Sequence, residues 1–248
     1  MGLQGKVAVV TGGARGIGGA TAELLASHGA RVAIGDLLGL EGEETLGRIK
    51  AAGGEGLFRQ TDVTDEASAR ALMDAAVERW GRLDVLVHAA GILKGATLLV
   101  DELDAGVFDE VIAVNLRGAF LCAKAAAQHM RRQRAGVMLL IASGAGVRGG
   151  SSSVAYGSSK GGVHGLSLVL APQLEPFGVR VHGICPGSLA TELKLTNVAD
   201  VARARGDDPV AARERAAREL GDPLGVARIL AFLASDDADY VRGTVFTR

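Results

Sequence analysis

Short apolar segments alternate with longer helical patterns along nearly the whole chain. Six of the apolar segments are rich in Val, Ile or Leu and carry little polar alternation: KVAVVTG, RVAIGD, GLFRQTDV, LDVLVHAAG, GVMLLIAS and VRVHGICPG. Apolar runs of this kind are typical of parallel strands that are covered on both faces. We expect a seventh strand within VRGTVFTR, at the C-terminal end of the sequence.

Helical spacing occupies the segments between these strands. It predicts helices over residues 16–27, 41–52, 65–80, 107–134 and 155–177. Gly29 and Gly81 stand where glycine commonly ends a helix. Asp65 is a suitable N-cap of the third helix, and Asp62 or Thr64 would serve nearly as well. The alternation predicts an α/β fold, a doubly wound, mainly parallel sheet of seven strands with helices on both faces, as in the Rossmann fold.

No internal repeat or linker interrupts this pattern, so we expect a single domain over residues 1–248. Residues 191–220 differ in character, because they are rich in charge and alanine and interrupt the rhythm of strands. Two interpretations stay open. The segment is either a pair of solvated surface helices, or part of a mobile lid, residues 188–220, over a site at the carboxyl ends of the strands.

Composition excludes several functional classes. The net charge is −1 and the sequence pI is about 6.5, so no basic surface indicates nucleic acid or anionic lipid as a partner. Cys122 and Cys185 form no C-x-x-C pair and the five histidines lack ligand spacing, so we expect no metal site. No segment approaches the ~20 apolar residues that cross a bilayer, and the N-terminal apolar run is too short for a signal peptide. We therefore expect a cytoplasmic protein with no membrane partner.

A glycine-rich turn follows the first strand, where TGGARGIG occupies residues 11–18. Glycines at such a turn let the backbone approach a pyrophosphate, whose charge meets the amides of a helix N-terminus. The strict G-x-G-x-x-G spacing is absent, and a tight structural turn is the alternative interpretation. The candidate contacts in this turn are Gly12, Arg15, Gly16, Ile17 and Gly18.

An acidic residue, Asp36, ends the second strand eighteen residues after Gly18. A carboxylate at this position can accept hydrogen bonds from both ribose hydroxyls of an adenosine and would repel a 2′-phosphate. Arg15 argues in the other direction, because its guanidinium could pair with a 2′-phosphate. We give Asp36 more weight, since it occupies the ribose position itself, and predict NAD(H) as the cofactor with NADP as the less favoured alternative.

Tyr156 and Lys160 are four residues apart in a predicted helix, and Ser143 precedes Tyr156 by thirteen residues. Side chains spaced in this way share one face of a helix. A neighbouring ammonium lowers the pKa of a phenol and prepares it for proton transfer. The alternative is a half-buried aromatic residue beside a merely solvated lysine.

Together these motifs resemble the short-chain dehydrogenase/reductase family, in its compact single-domain branch. The resemblance covers essentially the whole chain. It includes the glycine-rich turn and the Tyr156–Lys160 pair. It also includes Asp62-Val63 after the third strand, HAAG at residues 88–91, Asn115, Ser143, and Pro186-Gly187 after the sixth strand.

The resemblance implies a role for each candidate catalytic residue. Tyr156 would exchange a proton with the carbonyl or hydroxyl oxygen of the substrate, and Ser143 would hydrogen-bond that same oxygen. Lys160 would lower the pKa of the tyrosine and hold the nicotinamide ribose. Asn115 would anchor a water that joins Lys160 to solvent.

Further cofactor contacts are implied at the ends of the third, fourth and sixth strands. They are Asp62 and Val63 toward the adenine, Ala89 and Gly91 toward the ribose, Leu189 and Thr191 toward the nicotinamide carboxamide, and the neighbouring Pro186 and Gly187. Two departures from the family pattern are His88 and His182, since the family usually has Asn at both positions.

The leading hypothesis is an NAD(H)-dependent oxidoreductase that interconverts a secondary alcohol and a ketone. An NADPH-dependent carbonyl reductase of the 3-oxoacyl type and a non-catalytic nucleotide-binding regulator are the alternatives. A methyl donor-binding transferase would leave the tyrosine and lysine unexplained. We expect a homo-oligomer, a dimer or a tetramer, paired through the helices around Asn115 and after Tyr156. The small residues Gly144, Gly146, Gly149 and Gly150 predict room for a substrate beside the site.

Overall fold

The computed structural model describes residues 2–247, whose strands form one fully parallel seven-stranded sheet. The spatial order is β3-β2-β1-β4-β5-β6-β7. The strands are β1 (Val7–Thr11), β2 (Arg31–Asp36), β3 (Glu55–Gln60), β4 (Val85–His88), β5 (Gly136–Ile141), β6 (Val179–Cys185) and β7 (Val245–Phe246). The predicted fold class is confirmed, including the short seventh strand.

Ten α-helices within residues 2–247 connect or flank these strands. They are α1 (Gly16–Ser27), α2 (Gly39–Ala51), α3 (Glu66–Trp80), α4 (Ala105–Ile112), α5 (Gly118–Gln133), α6 (Gly144–Val147), α7 (Val154–Leu174), α8 (Glu192–Arg205), α9 (Pro209–Glu219) and α10 (Pro223–Ala234). The chain runs outward from β1 to β3 and then returns to place β4 on the other side of β1. Such a reversal of strand order opens a crevice at the carboxyl ends of the strands.

Alternate residues of the strands face two separate apolar layers. In β1, Val7 and Val9 pack into the layer formed with α3, α5 and α7, whereas Ala8 and Val10 pack into the layer formed with α1, α2 and α10. All four side chains are fully buried. Coverage on both faces explains why the strands show no polar alternation.

The two longest predicted helices are interrupted or end differently from what was expected. The helix predicted over 107–134 is instead α4, a π-helical turn at Ala113–Arg117 and α5. The helix predicted over 155–177 begins one residue earlier and ends in a 3₁₀ turn at Glu175–Phe177. A π-helical turn makes an i→i+5 hydrogen bond without interrupting the apolar spacing much, so the sequence pattern does not reveal it.

Two helices, α6 and α10, are not apparent from the spacing of apolar residues in the sequence. The segment that forms α10, PLGVARILAFLA, has almost no polar face, because it is buried between α1 and the sheet. α6 has only four residues, too few to show helical spacing. Residues 191–220, for which two interpretations were open, fold as the helices α8 and α9.

Side chains at the ends of α3 explain where it begins and ends. Asp65 accepts hydrogen bonds from the backbone N–H groups of Ala67 and Ser68, at 3.0 and 3.3 Å, so it is the N-cap that the sequence favoured. Gly81 follows the helix with φ of 79°, a left-handed conformation that favours glycine. Among residues 2–247 no helix has the length and apolarity needed to cross a membrane.

Candidate active site

A cavity of about 320 Å³ opens where the strand order reverses, at the carboxyl ends of β1, β2 and β4. Thirteen of the candidate residues line it. They are Gly12, Arg15, Gly16, Ile17, Gly18, Asp36, Asp62, Val63, Ala89, Gly91, Tyr156, Lys160 and Thr191. The structure therefore brings together residues from the glycine-rich turn and from α7, which lie more than a hundred residues apart in the chain.

A second cavity, of about 410 Å³, adjoins the first. Ser143, Pro186, Gly187 and Leu189 line it, and these are the candidates that the first cavity leaves out, apart from Asn115. Tyr156 borders both cavities, together with Ile17, Ile141, Thr191 and Leu193. The tyrosine thus stands at the junction of a crevice suited to a cofactor and a space suited to a substrate.

The glycine-rich turn packs backbone against backbone. A Cβ on Gly12 would lie 2.4 Å from the backbone nitrogen of Ala90, and one on Gly18 would lie 2.0 Å from the carbonyl oxygen of Gly12. Side chains at these positions would force the turn away from the loop after β4. Glycine is required here for packing within the protein as well as for access to a ligand.

The N-terminus of α1 points into this crevice without a cap. Arg15 occupies the N-cap position, its side chain makes no capping hydrogen bond, and the first turn carries no acidic residue. The free N–H groups of a helix N-terminus bind anions, and the helix dipole adds to their attraction. The turn and the uncapped helix therefore fit the diphosphate of a dinucleotide.

Asp36 is held in place by the backbone around the crevice. Its Oδ2 accepts from the N–H of Ala14 at 3.0 Å and its Oδ1 accepts from the N–H of Leu38 at 3.1 Å. A carboxylate has about four acceptor positions, so two remain for a ligand. These hydrogen bonds join the end of β2 to the glycine-rich turn and fix the carboxylate at the wall of the first cavity.

The hydroxyl group of Ser143 is the hydrogen-bonding neighbour that acts on the phenol of Tyr156. Ser143 is the N-cap of α6, and its Oγ also accepts from the N–H of Ala145 at 3.2 Å. Ser153 is the N-cap of α7; its Oγ accepts from the N–H of Tyr156 at 3.1 Å and donates to the carbonyl of Lys94 at 2.6 Å. Two helix N-termini therefore position the two hydroxyl groups against each other.

Lys160 lies one helical turn beyond Tyr156 and is almost wholly buried. Its Nζ donates to the carbonyl of Ile141 at 2.8 Å and lies 5.8 Å from the centre of the Tyr156 ring. Burial lowers the pKa of Lys160 to about 8. The ammonium is thus directed to the end of β5, at the side of the phenol ring.

The sequence predicts a lowered pKa for Tyr156, but in the structure this pKa is raised. Burial of the phenol raises the pKa of Tyr156, and the opposing influence comes from the hydrogen bond with Ser143. The expectation that the ammonium of Lys160 would set a lowered pKa is wrong for this structure. Burial of the phenol is the larger cause of this shift, and the ammonium of Lys160 donates to the carbonyl of Ile141.

Asn115 lies in the π-helical turn and is fully buried beside this group. Its Oδ1 accepts from the N–H of Ile92 at 2.8 Å, and its Nδ2 donates to the carbonyl of Ile92 and to Ser159 Oγ, each at 2.9 Å. A Cβ on Gly91 would lie 3.2 Å from Asn115 Oδ1 and 3.4 Å from Lys160 Nζ. The amide therefore connects the loop after β4 to α7, directly beside the lysine.

Comparison with known proteins identifies the family. Residues 6–202 match the family model described as short chain dehydrogenase. The chain belongs to the short-chain dehydrogenase family. It is 43% identical over 241 residues to the cis-4-hydroxycyclohexanecarboxylate dehydrogenase of Sinomonas cyclohexanicum, a match that covers 97% of this chain and 93% of that protein.

Solved structures agree with this assignment. The crystal structure of levodione reductase superposes with a TM-score of 0.90 at 32% identity, covering 98% of this chain and 96% of that one. The crystal structure of NAD+-bound xylitol dehydrogenase has a TM-score of 0.91 at 30% identity and covers 99% and 98%. The protein is thus a short-chain dehydrogenase, an enzyme that acts on CH–OH groups and on alcohol- or ketone-type substrates.

The two histidines that depart from the family pattern are both buried. His88 Nδ1 lies 2.8 Å from Thr11 Oγ1, and burial lowers the pKa of His88 to about 3, so its ring is neutral. Burial also lowers the pKa of His182, whose Nδ1 lies 3.3 Å from the carbonyl oxygen of Gly243. Each ring links neighbouring backbone segments of this short-chain dehydrogenase without carrying charge.

Glycines predicted to leave room beside the site fall into two groups. A Cβ on Gly149 or Gly150 would meet no atom within 4 Å, and one on Gly144 would make only an ordinary contact. Gly146 differs, because its Cβ would lie 2.6 Å from the backbone nitrogen of Gly161 in α7. The prediction is wrong for Gly146, which allows α6 to pack closely against α7.

Sequence reasoning missed several residues that border the site. Ser153 could have been found as a serine three residues before Tyr156, a common N-cap position. Glu192, which lines the first cavity, is held by Arg213 with hydrogen bonds of 3.0 and 2.7 Å. Arg148 and Lys194 line the second cavity. No sequence signal marks these last two, because only the fold brings them to one cavity.

The buried lysine predicts a pH dependence of stability. In the unfolded chain the lysine has its ordinary pKa of 10.5, whereas the folded protein lowers it to about 8. Between these values the unfolded state binds more protons, so stability rises with pH. We expect the wild type to gain about 2 kcal/mol relative to Lys160→Met between pH 7 and pH 10. Urea unfolding of both proteins measures this difference, and parallel curves would contradict it.

Proposed function

We propose that the protein is an NAD(H)-dependent oxidoreductase that interconverts a secondary alcohol and a ketone, with Tyr156 as the general acid and base. The observation that carries the proposal is the Ser143–Tyr156 hydroxyl pair at the junction of the two cavities. One cavity is lined by the glycine-rich turn and the uncapped helix N-terminus, and the other is free to hold a substrate.

In this proposal the two hydroxyl groups act on one oxygen atom of the substrate. Because the pKa of Tyr156 is raised, the phenol is protonated at neutral pH and is prepared to donate to a ketone oxygen. Ser143 hydrogen-bonds the same oxygen and stabilises the charge that develops there. In the direction of alcohol oxidation Tyr156 receives the proton. The bound nicotinamide supplies the hydride acceptor or donor.

Lys160 has two tasks in this proposal. Its ammonium faces the first cavity, where it can hold the ribose next to the nicotinamide. With a pKa of about 8 it can also pass a proton between Tyr156 and solvent near neutral pH. Asn115 completes the relay by anchoring a water. Since its side chain is occupied by Ile92 and Ser159, we assign this contact to the backbone of the π-helical turn.

The preference for NAD is proposed from Asp36. A carboxylate held by two backbone amides at the wall of the cavity can accept from ribose hydroxyls and would repel a 2′-phosphate. The NAD+-bound xylitol dehydrogenase among the similar structures supports this choice. Arg15 is exposed at the same crevice and supports the alternative, an NADPH-dependent carbonyl reductase of the 3-oxoacyl type.

The helix pair α8–α9 is proposed to work as the lid, residues 188–220, of this single domain. Thr191 and Leu193, at the start of α8, line both cavities, and Glu192 lines the first. The ion pair between Glu192 and Arg213 joins α8 to α9, so the two helices would move as a unit. Closure over a bound cofactor and substrate would exclude water from the proton-transfer site.

The catalytic proposal predicts that Tyr156→Phe retains NADH binding and loses turnover by about a hundredfold or more, because it removes only the proton-transferring hydroxyl. Reduction of a ketone panel, followed by NADH absorbance, measures the loss, and NADH fluorescence measures binding. Tyr240→Phe is the matched control, since Tyr240 is fully exposed. Comparable activity of Tyr156→Phe would exclude the proposed role. NADH binding by the wild type without turnover of any substrate would favour the non-catalytic regulator.

The cofactor proposal predicts that the wild type uses NADH more efficiently than NADPH. Asp36→Ser should raise kcat/KM with NADPH relative to NADH by about tenfold or more, because it removes the repulsion of the 2′-phosphate. Asp36→Asn tests the charge while keeping an oxygen that can accept from the backbone. Asp101→Ser, at an exposed loop position, is the control. Better use of NADPH by the wild type would overturn the assignment.

Association into a dimer or tetramer is proposed through α5 and α7, the helices after Asn115 and Tyr156. Both helices carry exposed apolar side chains, Phe120 on α5 and Leu168 and Val169 on α7. We expect sedimentation at micromolar concentration to give an oligomer, and Leu168→Asp to shift it toward the monomer without loss of folding. Leu40→Asp, on the exposed face of α2, should leave the mass unchanged. A monomeric wild type would contradict the proposal.

A further inference from the structure

Charge is distributed differently in the two cavities. The first is lined by both signs of charge, with three carboxylates, Asp36, Asp62 and Glu192, and two cations, Arg15 and Lys160. Among the described residues that line the second there is no carboxylate, but there are two cations, Arg148 and Lys194. The second cavity therefore carries a positive charge that nothing in its wall neutralises. Such a field attracts an anionic ligand.

Arg148 is held at the rim of the second cavity by an aromatic contact. It follows α6, and its Cζ lies 3.8 Å from the centre of the Phe246 ring in β7. It forms no ion pair within residues 2–247. A guanidinium on the face of a ring keeps the N–H groups at its edge available for a carboxylate.

Lys194 also lines the second cavity, from the first turn of α8. It is half-buried, and its ammonium has no hydrogen bond or ion pair within the described chain. The nearby carboxylate of Glu192 is already occupied by Arg213 and Thr196. An ammonium without a partner in the protein is available to pair with an anionic ligand in this cavity.

We propose that the substrate of this enzyme carries a carboxylate, which Arg148 and Lys194 bind while its carbonyl or hydroxyl group lies against Ser143 and Tyr156. This inference rests on the proposed oxidoreductase function and names its substrate class. Both cations line the same cavity as the two hydroxyl groups. A carboxylate suits the cavity of about 410 Å³, since it is smaller than a phosphate or sulfate group and leaves room for the carbon skeleton.

The two cations belong to different parts of the enzyme, and this bears on the proposed closure of the lid. Arg148 belongs to the segment after β5, whereas Lys194 belongs to α8, so a carboxylate between them would join the body of the enzyme to the proposed lid. An acidic substrate would thereby favour closure, and a neutral analogue would lack this contact. The charge should therefore affect KM more than the chemical step.

Paired ketones test the proposal with NADH as reductant. The acids are 4-oxopentanoate and 4-oxocyclohexanecarboxylate, and each is compared with its methyl ester, which removes the charge and adds little volume. We expect kcat/KM for the acids to exceed that for the esters by about tenfold or more, mainly through KM. The preference should shrink as salt is added, because salt screens the attraction.

Substitutions test whether the preference for acids over esters comes from Arg148 and Lys194. Arg148→Gln and Lys194→Gln should each lower the ratio of kcat/KM for the acids to kcat/KM for the esters by about tenfold. Arg148→Lys and Lys194→Arg, which keep the charge, should restore part of the preference. Arg228→Gln is the matched control, since Arg228 is an exposed arginine on α10 that lines neither cavity.

A binding measurement tests recognition of the carboxylate without requiring turnover. Calorimetry on the NADH-saturated protein compares cyclohexanecarboxylate with cyclohexanecarboxamide, and we expect only the carboxylate to bind measurably. Equal binding of both, or of neither, overturns the proposal, as does reduction of acids and esters at equal efficiency. If no ketone is reduced with either NADH or NADPH, the proposed oxidoreductase function fails separately, whatever the calorimetry shows.

Discussion

The backbone of the glycine-rich turn lies directly on the backbone of the loop after β4, and the rest of the site depends on this contact. A Cβ on Gly12 would meet the backbone of Ala90, and one on Gly18 would meet the turn itself. Close packing here draws β1 and β4 together where the strand order reverses. The N-terminus of α1 is thereby directed into the crevice, and the loop that follows β4 is brought beside Lys160.

For Tyr156 and Lys160, the proposed catalytic pair, burial decides the direction of the pKa shifts. Lys160 and Tyr156 share a face of α7, but the ammonium hydrogen-bonds the carbonyl of Ile141. Burial then dominates, raising the pKa of Tyr156 and lowering that of Lys160 to about 8. The two shifts bring the pKa of the lysine closer to neutrality and keep the phenol protonated. A bound cofactor adds its own charges to this balance.

The charged residues that line the two cavities suit different ligands. The first has a helix N-terminus, which suits a diphosphate, and carboxylates, which suit ribose hydroxyl groups. The second combines two hydroxyl groups with two unpaired cations, which suits an acidic alcohol or ketone. Tyr156 borders both cavities, so one side chain faces the two spaces proposed for cofactor and substrate. The start of α8, the helix proposed as part of a lid, contributes to both walls through Leu193 and its N-cap Thr191.

The sequence determined the parallel sheet, most of the helices and the candidate residues of the crevice. Apolar periodicity, glycine at turns and i,i+4 spacing are local signals, and they report local structure. Tertiary structure alone decided the direction of the pKa of Tyr156, the packing role of Gly146 and the π-helical turn at Asn115. It also decided that Arg148 and Lys194 share one cavity. These properties depend on burial and on contacts between distant segments, which no spacing within one segment encodes.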